Sequence, residues 1–375
     1  MYNTSRMDVL QHAAVGAFVT GGGLTAAQSL LARRLKAPSS LALSLGSFVG
    51  VFRLLEVTGR KFAAENGERT PNASHAAAVA AAVALVMLDN ERKTVVVSYA
   101  VVEAALSLIN EFTSLADSKY IDLPLGALAA GPLIDSWIYQ SDAIAKSQLA
   151  ALDSFCQLPA SVLRRMRDEI PSGKLVSRCD VFHRGRTCTQ FHRAYFIKGM
   201  AFAIRLYVPI YAVSVLAPKY KRWLWGPRPA LGPLVVRYLR TCCCLTMLYQ
   251  VPLGFSCLSP SERHRATVKM AGALTTLAFL AEHEHRRGSV MKAVGVYTTG
   301  TVAARIVAAL GVPPRAVQMS QLVLFSAALG VIFQRASPSS SRMARVLYGY
   351  SDKPAATGDD VDADADAAPQ KDKVS

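Results

Sequence analysis

The sequence predicts an all-α, polytopic membrane protein, and three observations predict it. Apolar residues make up 51% of the 375-residue chain and charged residues only 18%, against roughly 45–50% and about 25% in soluble domains. The apolar residues are gathered into recurrent stretches punctuated by lysine and arginine. Those stretches are rich in alanine and leucine, with Gly and Pro mostly at their ends and no sustained two-residue alternation, a pattern of helices and not of a lipid-facing barrel.

In chain order the first half carries stretches at Leu10–Leu31, Leu41–Leu55, His75–Leu88, Val95–Leu108 and Ile121–Ile138. The second half carries Met200–Ala217, Leu231–Leu253, Val268–Leu280, Val290–Val312 and Ala316–Phe333. A full crossing needs about 20 apolar residues, so roughly six to ten membrane helices are expected and the shorter runs read as half-spanning or amphipathic. Small residues stand where bilayer helices approach closely, with Gly46 and Gly50 in a GxxxG pair and Gly21-Gly22-Gly23 flattening the first run.

The two halves read alike. His75–Leu88 leads to Asp89-Asn90-Glu91-Arg92-Lys93, and Met270–Ala281 leads to Glu282-His283-Glu284-His285-Arg286-Arg287. Internal duplication is a known route to membrane transport folds. Between the halves, Gln140–Lys198 is polar and basic, with Arg164, Arg165 and Arg167 close together, and is too long for a plain connector. The expected organisation is therefore a membrane-helix half over 1–139, a central basic region over 140–198, a second half over 199–350, and a disordered acidic tail over 351–375.

The formal net charge is +16, which admits anionic lipid, nucleic acid or membrane-flanking anchors as its cause. The basic residues punctuate apolar runs without a stripe or a nucleic-acid motif, so membrane lipids are the expected partners and nucleic acid is not. Three of the seven cysteines, Cys242, Cys243 and Cys244, are adjacent in an apolar run, which is no disulfide framework and points to a reducing compartment.

Chemistry concentrates in Cys179-x3-His183-x4-Cys188-x3-His192. Four soft ligands suit zinc, but the tight two-residue cysteine spacing is missing and neighbouring arginines oppose a cation. The sequence reading therefore assigns no metal and no cofactor, and takes the segment as a loop pinned by packing with a redox-sensitive cysteine pair. His283-Glu284-His285 lacks the His-Glu-x-x-His spacing of a metalloprotease helix, and no nucleotide loop or nucleophile elbow is present, so the chain is expected not to be an enzyme. Charges within apolar runs cost at least about 2.5 kcal/mol each at mid-bilayer. Glu103, Arg205 and Arg305 are accordingly candidates for a polar path or inter-helix pairing, while Arg237 and Arg240 read as snorkelling to the headgroups.

Three segments carry a family resemblance. The Cys179–Cys188 segment with His183, followed by Arg205-Leu206-Tyr207-Val208-Pro209, resembles the cysteine-rich region of the transmembrane protein 135 family, also called peroxisomal membrane protein 52. Gly131-Pro132-Leu133-Ile134-Asp135-Ser136-Trp137 is similar to that family's segment before the loop, and Glu284 with Arg286 and Arg287 to its acidic-then-double-arginine signature, echoed by Glu91 and Arg92. The chain departs from the pattern after His183, where a proline is common, and at Lys292, near an expected tyrosine. The resemblance implies a multi-pass protein of the peroxisome, a glycosome-like organelle or the mitochondrion, supporting lipid or metabolite transport and organelle homeostasis without catalysis. The alternative expectation is a membrane scaffold or protein-import component that recruits other organelle membrane proteins through the basic central loop.

Overall fold

The computed structural model describes residues 6–31, 37–66, 73–112, 120–172, 178–212, 231–258 and 265–335. The expected acidic tail lies outside them. Among the described residues the regular structure is helical and contains no strand. The chain forms two compact units, one of Met1–Met87 with Phe333–Ser375 and one of Leu88–Ile332.

The first unit holds α1 (Arg6–Leu31), α2 (Ser40–Asn66) and α3 (Ala73–Val86). Glycine sets how closely α1 and α2 approach. A Cβ on Gly21 would sit 2.9 Å from the Ala42 carbonyl oxygen, and one on Gly46 would sit 2.9 Å from that of Ala17. Gly21 is thus needed for packing, whereas a Cβ on Gly23 would meet nothing within 4 Å. Helix α3 is alanine-rich, buries Ala77, Ala80, Ala81 and Ala84, and has 14 residues, about 21 Å of helix against a hydrocarbon core of about 30 Å.

The second unit contains α4 (Asn90–Phe112), α5 (Asp122–Tyr139), α6 (Lys146–Cys156), α7 (Ala160–Ser172), α8 (Arg178–His183), α9 (Cys188–Tyr211), α10 (Leu231–Leu258), α11 (Arg265–Leu274), a 3₁₀ segment (Thr275–Ala281), α12 (Glu284–Leu310) and all but the last turn of α13 (Pro314–Arg335). Helix α5 is the hub, packed on α11 and α12, while α10 packs on α9 and α12 on α4. Gly131 and Gly272 make a second close crossing, a Cβ on Gly272 lying 2.9 Å from the Ala130 carbonyl oxygen. The central stretch 140–198 lies inside this unit. Helix α7 buries Leu163 and Met166 in the same apolar core as Trp137, Phe182 and Phe191, and exposes Arg164.

Among the described residues four helices are long and apolar enough to cross a membrane: Ser40–Ala63, Gly232–Leu258, Arg286–Leu310 and Pro314–Gln334. Only 17% of the third and 11% of the fourth is buried within the protein, so their apolar surfaces require a nonaqueous environment. This is the arrangement of a multi-pass membrane protein. Of the expected six to ten helices, four meet the requirement among the described residues. Helix α3 is too short, and α9 carries Arg193, Lys198 and Arg205 along its length.

Candidate metal centre

Among the described residues one group of metal-ligating side chains converges: Cys179, His183, Cys188 and Cys257, with one ligand atom from each lying within 4.8 Å of all the others. Local structure explains the first three. Cys179 and His183 are four residues apart on α8 and so share a helix face. A tight turn follows, in which Gly185 adopts φ 77°, a conformation glycine enters without Cβ strain, and Arg186 N–H donates to the His183 carbonyl at 3.0 Å. Thr187 then caps α9, accepting from the Gln190 N–H while the Gln190 side chain accepts from Thr187 N–H. Cys188 is thereby returned beside Cys179, with the two Sγ atoms 3.9 Å apart. A disulfide needs about 2.05 Å. Cys257 arrives from the last turn of α10.

The two histidines touching Cys257 present different atoms to it. His183 Nδ1 lies 3.0 Å from the Arg186 carbonyl oxygen, which can only accept, so Nδ1 carries the proton and the Nε2 lone pair faces Cys257 Sγ at 3.3 Å. For His192 the order is reversed. Gln250 Nε2 lies 2.8 Å from His192 Nδ1 and 3.2 Å from the His192 carbonyl oxygen. The amide therefore donates to both, and His192 Nε2–H points at Cys257 Sγ at 3.3 Å. Burial, with His183 nearby, holds the His192 imidazole below its ordinary pKa. The segment that the sequence reading assigned no metal thus supplies three converging ligand side chains, joined by a cysteine from a distant helix, and Arg184 and Arg186 are exposed.

Trp137 is buried in α5, its Nε1–H donating to Asp153 Oδ1 at 2.7 Å, and Arg167 Nη2 binds the same oxygen at 2.5 Å. Glu103 on α4 pairs with Lys292 on α12, the ammonium lying 2.9 Å from Oε1 and 2.8 Å from Oε2. Arg305 donates to Asp135 Oδ2 at 3.2 Å and to Ser136 Oγ at 3.0 Å, and Arg265 grips both oxygens of the same carboxylate at 2.5 and 2.8 Å. Arg205 is exposed on α9, and among the described residues it makes no ion pair.

The two helix-end signatures differ in burial. Glu91 and Arg92 are exposed at the start of α4, where Arg92 pairs with Asp89 at 3.3 Å. At the start of α12 Glu284 is exposed, but Arg287 is buried and donates to the carbonyls of Phe279 (3.0 Å) and Glu282 (3.3 Å). Arg240 donates to the Ala281 carbonyl at 3.0 Å, so it caps the end of the 3₁₀ segment instead of snorkelling, a favourable use of a cation at a helix C-terminus. Arg286 donates to Thr241 Oγ1 at 2.9 Å and to the Tyr211 hydroxyl. Thr241 in turn donates to Glu282, which is 1% exposed. Residue types alone singled out neither Asp135 nor Cys257. Both are recognisable only once their partners, 130 and 74 residues away, are in place.

No protein-family model, no curated protein and no solved structure matches the chain.

Proposed function

We propose that this chain is a non-enzymatic, multi-pass membrane protein of an organelle, peroxisome or mitochondrion, that supports the passage of lipid or metabolites. The observation that carries this reading is the Glu103–Lys292 pair. It joins a carboxylate on α4 to an ammonium on α12, an apolar helix of membrane-crossing length, yet leaves the two side chains 30% and 35% exposed. A charge on a spanning helix is costly unless it is paired or faces water, so an ion pair left open there is a candidate lining of a polar path. Organelle and cargo class come from the resemblance to the transmembrane protein 135 family.

Localisation of the tagged chain against peroxisomal and mitochondrial markers, followed by carbonate extraction, tests the setting. Glu103→Gln and Lys292→Met test the path: lipid or metabolite passage into reconstituted vesicles is expected to fall while the folded protein is still recovered. Unchanged passage with both variants rejects the reading. A second reading, a membrane scaffold or import component, is favoured by the exposed arginines Arg164, Arg184, Arg186 and Arg193 of the central region. Neutralising those four is then expected to abolish partner recruitment and leave passage untouched.

A further inference from the structure

We infer that Cys179, His183, Cys188 and Cys257 hold one Zn²⁺ in a closed tetrahedral site that fastens α8 and α9 to the end of the apolar helix α10. The inference stands independently of the transport reading. Zinc bonds of about 2.3 Å to sulfur and about 2.0 Å to nitrogen in a tetrahedron imply ligand separations of roughly 3.5–3.8 Å. The Cys179–Cys188 separation of 3.9 Å and the His183–Cys257 separation of 3.3 Å lie on either side of that range and no pair exceeds 4.8 Å, so side-chain rotations that draw the widest pair together would centre an ion.

The hydrogen bonds assign a role to each imidazole. Metal-ligating histidines characteristically donate the second ring N–H to a carbonyl or carboxylate, which fixes the tautomer. His183 does so to Arg186 O. His192 offers a proton instead of a lone pair, so it is a positioning residue that donates to the Cys257 sulfur and offsets its negative charge. Three thiolates and one imidazole select a soft, tetrahedral cation over Mg²⁺ or Ca²⁺. With four protein ligands no coordination position is left for substrate, which makes the site structural. Binding displaces three thiol protons to solvent and leaves His183 neutral. The complex then carries one net negative charge, and Arg184 and Arg186 on the connecting turn have the complementary sign.

The test uses the full-length chain purified in detergent under reducing conditions without chelator, with metal measured by mass spectrometry and cysteines counted by alkylation. One zinc per chain is expected, released when a mercurial reagent titrates the thiols. Cys257→Ser is expected to lose stoichiometric zinc, while Cys243→Ser, outside the cluster, retains it. His192→Phe is expected to keep one zinc but to hold it about 10- to 100-fold more weakly against a chromophoric chelator, the usual effect of removing a partner of a ligand. Should Cys257→Ser fail to fold, Co²⁺-substituted wild type decides: an intense thiolate-to-cobalt charge-transfer band with tetrahedral ligand-field bands supports the site, and an octahedral spectrum overturns it. A wild-type chain that neither contains nor takes up Zn²⁺ or Co²⁺, a Cys179–Cys188 disulfide in the reduced preparation, or unchanged zinc in Cys257→Ser would each overturn it as well.

Discussion

Asp135 offers the sharpest test of how the second unit is held together. Its side chain is fully buried, and both oxygens are engaged, by Arg265 through two bonds and by Arg305 through one. Asp135→Asn keeps the volume, removes the charge and turns an amide N–H₂ towards a guanidinium. Breaking a fully buried pair costs about 3–5 kcal/mol. The arginine side chains are 40% and 29% exposed and can turn their heads to solvent, so about 2–4 kcal/mol is the better figure. For a unit of roughly 150–250 residues that lowers the unfolding midpoint by on the order of 10 °C. Arg305→Gln leaves the two-bond Arg265 clasp intact and is expected to cost about 1 kcal/mol, or about 2–4 °C. Thermal unfolding of the detergent-purified variants, followed by a thiol-reactive dye, reads both. A midpoint for Asp135→Asn no lower than that for Arg305→Gln would falsify the assignment of Asp135 as the centre of the network.

Other expectations are quickly checked by the same means. Gly21→Val and Gly46→Val force α1 and α2 apart and are each expected to cost about 1–3 kcal/mol, while Gly23→Ala should be neutral or slightly stabilising; equal effects at Gly21 and Gly23 would discredit the close crossing. Burial raises the Cys156 thiol from an ordinary 9.0 to about 12, so it should resist iodoacetamide at neutral pH until the protein unfolds, and early labelling at Cys156 contradicts its burial. Because the folded state holds that proton more tightly, its contribution is intact below about 9 and is lost as pH rises towards 12; midpoints recorded across that window should decline in the wild type and decline less in Cys156→Ala. Trp137→Phe removes the indole donor to Asp153 and is expected to cost about 1 kcal/mol, with Arg167 still bound; a loss as large as that of Asp135→Asn would mean the indole has a further role.

Helices were legible in the sequence where apolar residues dictated them. The run Ile121–Ile138 became Asp122–Tyr139, and Leu231–Leu253 became the core of Leu231–Leu258. Local patterning also shows why Thr187-x-x-Gln190 starts a helix. Long-range partnerships were not legible, because a carboxylate such as Asp135 carries no mark of which arginine will reach it. The central motif illustrates the same limit. Cys179, His183 and Cys188 are linked by local turns, and the spacing sets His192 beside them in a segment read as holding no metal. The fold supplies Cys257 from α10, and the Gln250 contacts turn His192 into a hydrogen-bond donor. Of the arginines near the motif, Arg184, Arg186 and Arg193 are exposed while Arg178 is buried, and nothing in one-dimensional spacing conveys which is which.

The ion pairs also bear on how the chain is made. Glu103 leaves the ribosome 189 residues before Lys292, and Asp135 leaves 130 residues before Arg265. At about 5–20 residues per second, Glu103 waits roughly 10–40 s for its ammonium. Throughout that interval the segments of α4 and α5 carry their acidic groups without the eventual counter-ions, and a nascent chain arrested before α11 can satisfy neither. Quality control that recognises unpaired carboxylates in newly made helices would therefore distinguish the full chain from every truncation ending short of Arg265.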